Sequence, residues 1–180
     1  MTTAHNEIDR VLSIDLCNRG VGFVVLEGRR KLVDWGVKQA RKARETRTLA
    51  ALGQLIDLYR PDVLLLEDCF VQGSRRCPRV RKLLKQTEDL ALVRNLKVCY
   101  VSCAQVRQAF ARSKAVTKHE IACVIAARLA LLAPQLPPPR KPWMSEGPRM
   151  SIFDAAAFAL SFYESSGNTN HQSNLNISNS

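Results

Sequence analysis

The sequence predicts a mixed α/β fold, a five-stranded sheet covered by helices. Three strand-like segments follow one another through short turn signals between residues 10 and 38, which is the spacing of antiparallel hairpins. From residue 44 onward, segments with helical periodicity alternate with short apolar runs, the pattern of strands joined by helices. The chain has 180 residues and is 46% hydrophobic, enough for one domain with a sizeable core.

"RVLSIDL" (10–16) alternates, with Val11, Ser13 and Asp15 on one face and Leu12, Ile14 and Leu16 on the other. "NRG" and "GRR" are turn signals on either side of a second strand, "VGFVVLEG" (21–28), and "KLVDWGVK" (31–38) is the third. In 44–59, Leu49, Leu52, Ile56 and Tyr59 recur at helical spacing, and Arg60-Pro61-Asp62 ends that helix. "VLLLE" (63–67) is the fourth strand. Helical character returns over 78–95, and "KVCYVS" (97–102) is the fifth strand. "AQVRQAF" (104–110) is a short helix. A longer one covers 117–132, where Thr117 and Glu120 form a capping box. "PQLPPPRKP" (134–142) is excluded from helix and central strand by its prolines. Residues 151–164 are the last helix. The domain therefore spans 10–164, between a loose tail at 1–9 and a Ser/Asn-rich, disordered one at 165–180.

No apolar run approaches the roughly 20 residues of a bilayer span, and the N-terminus lacks the apolar middle of a secretory signal. A cytoplasmic protein with no membrane partner is expected. The six cysteines form no C-x-x-C pair, so neither a zinc site nor a disulfide framework is predicted. A net charge of +11 and a pI near 9.8 favour a polyanionic partner, nucleic acid first.

Few carboxylates lie in or beside apolar segments. Asp15 is inside the first strand, Glu67 ends the fourth with Asp68 beside it, and Asp154 opens the last helix among Ile152, Phe153 and alanines. Each has a local explanation. Asp154 suits a helix N-terminus, Asp68 a solvated loop, and Asp15 a paired arginine. Together they suggest oxygen ligands converging on hard divalent cations. Two such ions about 4 Å apart are the machinery of phosphodiester cleavage.

These residues also carry a resemblance. "VLSIDLCNRGVGFVVLE" (11–27), "RPDVLLLEDCF" (60–70), "VSCAQVRQAF" with "SKAVTKHEIACVIAARL" (101–129) and "SIFDAAAFALSF" (151–162) resemble, in order and spacing, the RuvC-type Holliday junction resolvases of the RNase H-like superfamily. The resemblance implies an RNase H-like sheet of three antiparallel strands followed by parallel ones, and a Mg²⁺- or Mn²⁺-dependent endonuclease acting on branched DNA with two ions. It places Asp15, Glu67 and Asp154 as metal-binding acids and Lys118 beside the scissile phosphate. Phe70 takes the place of the aromatic that meets an unpaired base, and Arg107 that of another basic residue. It also implies that the basic run "GSRRCPRVRKLLK" (73–85), with Arg75, Arg76, Arg79, Arg81 and Lys82, faces DNA and helps form a homodimer; Lys114 is assigned to DNA as well. "KQARKAR" (38–44) is a second basic cluster.

Two departures stand out. The family's fourth acid, three residues before the last aspartate, is Ser151 here, and Glu146 or Asp68 is the candidate replacement. The glycine two residues after the first aspartate is Cys17. Alternatives stay open: a related nuclease on RNA, RNA–DNA hybrid or flaps; a DNA-binding protein that kept the fold and lost the chemistry; and an actin-like nucleotide module, for which the chain is too short. The nuclease reading requires the three acids to converge without each being locked onto its own arginine or lysine.

Overall fold

The computed structural model describes residues 10–17, 20–39, 44–70, 76–141 and 143–173, with side chains as far as Ser165 and Arg44's left aside. Five strands, β1 (Arg10–Cys17), β2 (Gly20–Glu27), β3 (Lys31–Gln39), β4 (Val63–Glu67) and β5 (Lys97–Val101), form one sheet in the order β3-β2-β1-β4-β5. The hairpin pairs are antiparallel, whereas β4 runs parallel to both β1 and β5. The helices are α1 (Arg44–Tyr59), α2 (Pro78–Val93), α3 (Cys103–Phe110), α4 (Lys118–Arg128) and α5 (Met150–Ser173). Among the described residues, no helix is long and apolar enough to cross a membrane.

Side-chain alternation divides the core in two. Leu12, Ile14 and Leu16 of β1 join Leu64 and Leu66 of β4 under α1 and α2. Val11 of β1 joins Val63 and Leu65 of β4 under α3, α4 and α5. Both strands are thus buried on two faces, as inner strands covered by helices should be. The same alternation aims the strand acids. Asp15 and Glu67 fall on the α5 side of their strands, four residues beyond Val11 and Val63.

Two boundaries differ from the sequence reading. The helix expected over 117–132 stops at Arg128, and a 3-10 turn over Ala130–Gln135 takes in Pro134. A short 3-10 turn tolerates a proline that an α-helix interior does not. The last helix runs to Ser173, past Glu164 where its apolar pattern ends. The remaining tail residues, 1–9 and 174–180, lie outside the described residues.

The small face of α5 lets it lie close on the sheet. Ala155, Ala156, Ala157 and Ala159 are all buried, and the Ser13 hydroxyl donates to Ala155 O at 2.7 Å. At the start of α5 the approach is closer still. A Cβ added to Gly22, the β2 residue opposite Asp15, would come within 2.3 Å of Ser151 Oγ. No side chain fits between strand and helix there.

Candidate active site

β1 and β4 are in parallel register from Val11–Val63 to Ser13–Leu65. Two residues further on, that register brings Asp15 and Glu67 to the same level on the same face. The Ser13–Ala155 bond sets the first turn of α5 above them, which delivers Asp154. Asp15 is 3% exposed, and Asp154, Glu67, Arg76 and Lys118 all act on its charge. Asp15 and Asp154, 139 residues apart in the chain, are therefore brought together with Glu67, but each of the three is paired with a cation, against the condition the sequence reading set.

They do not converge unaccompanied. Arg76, just before α2, turns inward. Its Nη2 lies 2.6 Å from Asp15 Oδ1 and 2.5 Å from Glu67 Oε2. Its Nε donates to Glu67 Oε2 at 2.6 Å and its Nη1 to Leu16 O at 3.3 Å. Lys118 Nζ is 2.8 Å from Asp154 Oδ2 and 3.4 Å from Glu146. Arg76, expected at the DNA surface, instead points at the acids in this structure. A buried carboxylate, Asp15, and a part-buried one, Glu67, pull the guanidinium out of the basic run, because an arginine fork satisfies two oxygens at once. Lys118 does stand at the acids, as the resemblance implies. It is the first residue of α4, whose capping box of Thr117 and Glu120 is formed. The helix dipole disfavours a cation at that end, so Asp154 and Glu146 are what hold it.

Arg76 and Lys118 leave the cluster short of positive charge. The Asp15 carboxyl is raised to about 7, first by burial and then by Asp154, with Arg76 and Lys118 opposing. Asp154 is raised too, again by burial first and against Lys118. Burial works against the charges of Arg76 and Lys118, but the acids outweigh it and both pKa values rise. A further cation would relieve the crowded acids, and an all-oxygen anionic set is what a hard divalent ion takes. The residues fit such an ion by chemistry and charge. The place between Asp15 and Glu67 is nevertheless taken by a guanidinium nitrogen. Among the described residues, no three acids, histidines or cysteines close around one point as ligands. An ion bound by both acids requires Arg76 to withdraw.

The other predicted residues are spread around this cluster. Asp68 Oδ1 accepts from Phe70 N at 3.1 Å, so it shapes the loop rather than joining the acids. Cys69 is buried, and that anchor leaves Phe70 62% exposed. Glu146 reaches the site only through Lys118. Ser151 Oγ donates to Pro148 O at 2.7 Å and is buried. On α2, Arg79 and Lys82 pair with Glu45 of α1, at 3.7 and 3.1 Å. Arg81 and Lys114 are exposed, and Arg75 lies outside the described residues, as do residues 40–43 of the second basic cluster. Arg107 lines a cleft of about 200 Å³ beside the acids, with Val106, Ile121, Phe153 and Phe158 as its apolar walls.

The sequence reading missed two thiols. Cys103 Sγ is 3.8 Å from Glu67 Oε1. The Cys69 thiol is pushed up to about 12 by burial and then by Glu67. Both stay protonated and act as weak donors to Glu67. Cys69 lies two residues from Glu67, yet Cys103 comes from another element, and no spacing rule connects it.

Sheet order and acid placement define an RNase H-like fold. No protein-family model matches the chain, and no curated protein matches it. Among solved structures, the fold is that of the RuvC-type resolvases. The Thermus thermophilus RuvC structure aligns with a TM-score of 0.64 and 24% identity over 88% of this chain and 96% of that one. T. thermophilus RuvC in complex with Holliday junction substrate gives 0.64 and 22% over 89% and 96%. The yeast mitochondrial Holliday junction resolvase Ydc2 gives 0.66 and 14% over 93% and 83%.

Proposed function

We propose that this protein is a divalent-metal-dependent endonuclease acting on branched DNA. The observation that carries the reading is the convergence of Asp15, Glu67 and Asp154 at the C-terminal ends of β1 and β4, with Lys118 among them. The likeness to resolvases, one of them solved on a Holliday junction, supports branched DNA as the substrate, and the charge of +11 supports a phosphate backbone as the partner. Asp15, Glu67 and Asp154 would hold Mg²⁺ or Mn²⁺, with Glu146 available through the Lys118 contact. When bound, two such ions activate water and stabilise the departing oxygen. Lys118, half-exposed at the cleft, neutralises charge on the phosphate. Arg107 draws the strand toward the cleft. Phe70, held outward, stacks on an unpaired base. A symmetric homodimer would match the two-fold junction.

The decisive experiment incubates the purified chain with a synthetic four-way junction and Mg²⁺ or Mn²⁺, beside Asp15→Asn. Paired nicks by wild type alone are expected. Flaps, RNA duplex and RNA–DNA hybrid form the comparison arms. No product from any of them with either metal overturns the proposal.

A second reading has its own observation. Arg76 bridges the two strand acids, and Ser151 stands where resolvases carry a fourth. A protein that kept the fold for DNA binding and made Arg76 a permanent counter-ion would look like this. It predicts junction binding without nicks, unchanged by Asp15→Asn.

A further inference from the structure

The segment before α5 carries a feature the acid site does not use. Met144 N donates to Lys141 O at 3.0 Å, closing a turn with Trp143 at its tip. Trp143 is 79% exposed. Lys141 Nζ lies 5.6 Å from the centre of its ring, and Met144 beside it is also exposed. With Met144 beside it and cations around it, the exposed indole offers a flat amphipathic face that a base can stack on. The turn is tied to the acid cluster, because Glu146, three residues on, pairs with Lys118 at 3.4 Å. Phe70, the other exposed aromatic near the acids in sequence, follows Glu67 by three residues.

We propose that Trp143 is a second base-stacking residue, which takes an unpaired nucleobase of the DNA held at the acid site. This rests on the nuclease reading above and narrows its substrate to DNA with an unpaired base near the cut. Charge complementarity selects the occupant. Arg140, Lys141 and Arg149 surround Trp143 in sequence and are exposed, while the nearby acid, Glu146, is engaged with Lys118. An exposed indole among cations suits a nucleobase with its phosphate: the ring offers a π-face to any base, and the cations take the backbone. An apolar protein partner would leave those cations facing apolar surface.

Trp35 and Trp143 are the two tryptophans of the chain, so emission can be assigned by difference. The full-length protein is titrated with a dye-labelled four-way junction carrying unpaired thymidines at its centre, and separately with blunt duplex. Anisotropy of the dye reports binding, and indole emission reports stacking. The unpaired-base junction should quench the wild type and leave Trp143→Phe, which retains only Trp35, unquenched. Trp143→Ala should bind that junction roughly tenfold more weakly and blunt duplex as before, and Trp143→Phe should recover the affinity. Binding with unchanged Trp143 emission overturns the proposal and leaves the nuclease reading standing. So does an equal loss on junction and blunt duplex, which marks a structural role. No anisotropy change with any DNA overturns both.

Discussion

Each end of the β1–β2 hairpin pair carries a carboxylate held by cations, Glu27 of β2 opposite Arg10 at one end and Asp15 of β1 at the other, and the two clusters behave in opposite ways. At the N-terminal end of β1, Glu27 takes Arg10 and Lys31 at the surface, itself part-buried while both cations reach solvent. Its carboxyl is held below the ordinary range, first by the hydrogen bond from Lys31 and then by that from Arg10. At the C-terminal end, Asp15 takes Arg76, yet its carboxyl rises to about 7 because burial and Asp154 outweigh the guanidinium. Pairing alone does not decide the state of an acid. Water satisfies what partners leave over at Glu27, and nothing does so at Asp15. One end is a settled surface bridge; the other is a site still short of positive charge.

The largest test of this contrast removes Arg76. Arg76→Ala leaves the buried Asp15 and the part-buried Glu67 without a counter-ion, which should cost on the order of 3 kcal/mol. Thermal melts in chelator should show that loss. Millimolar Mg²⁺ or Mn²⁺ should restore much of it, while wild type responds less to the metal. A variant equally unstable with and without divalent ions would show that the acids cannot accept them.

A smaller effect comes from pH. Asp15 keeps its proton to about 7 when folded, against an ordinary value of 3.8. Between those values the folded state binds more protons, so this group's contribution to stability falls as pH rises through the window and levels off above it. Asp15→Asn removes the titration. Its melting temperature should decline less between about pH 5 and pH 8 than that of wild type. An identical decline in both would place the titration elsewhere.

The smallest effect belongs to the other end of the strand. Glu27→Gln should shift the melting temperature barely at all near neutral pH, since exposed pairs contribute little. Its contribution is present above the ordinary value of 4.5 and is lost as pH falls through the lowered one. A large loss at neutral pH would erase the contrast.

Most strands and helices were legible because they bury an apolar set at the period of their structure, and Leu12, Ile14 and Leu16 announce their face by alternation alone. Asp15, Glu67 and Asp154 were legible because charge beside apolar runs needs a reason. The inward turn of Arg76 was not. It sits in a run of six basic residues between 73 and 85, and only three-dimensional proximity to two buried acids singles out one of them. Arg79 and Lys82 were equally hidden, since Glu45 lies on another helix. Trp143 could be seen in the sequence, but its exposure could not.

The contact between Ser151 and Gly22 bears on how a four-acid centre is gained or lost. Because strand backbone lies against that hydroxyl, replacing the serine by aspartate drives the longer side chain into β2 unless α5 first lifts away. Serine here is a seat for the helix. A lineage or a designer seeking the fourth carboxylate must take two steps in order, repositioning the helix and then installing the acid, and the single-step variant should misfold locally before it ever gains a ligand.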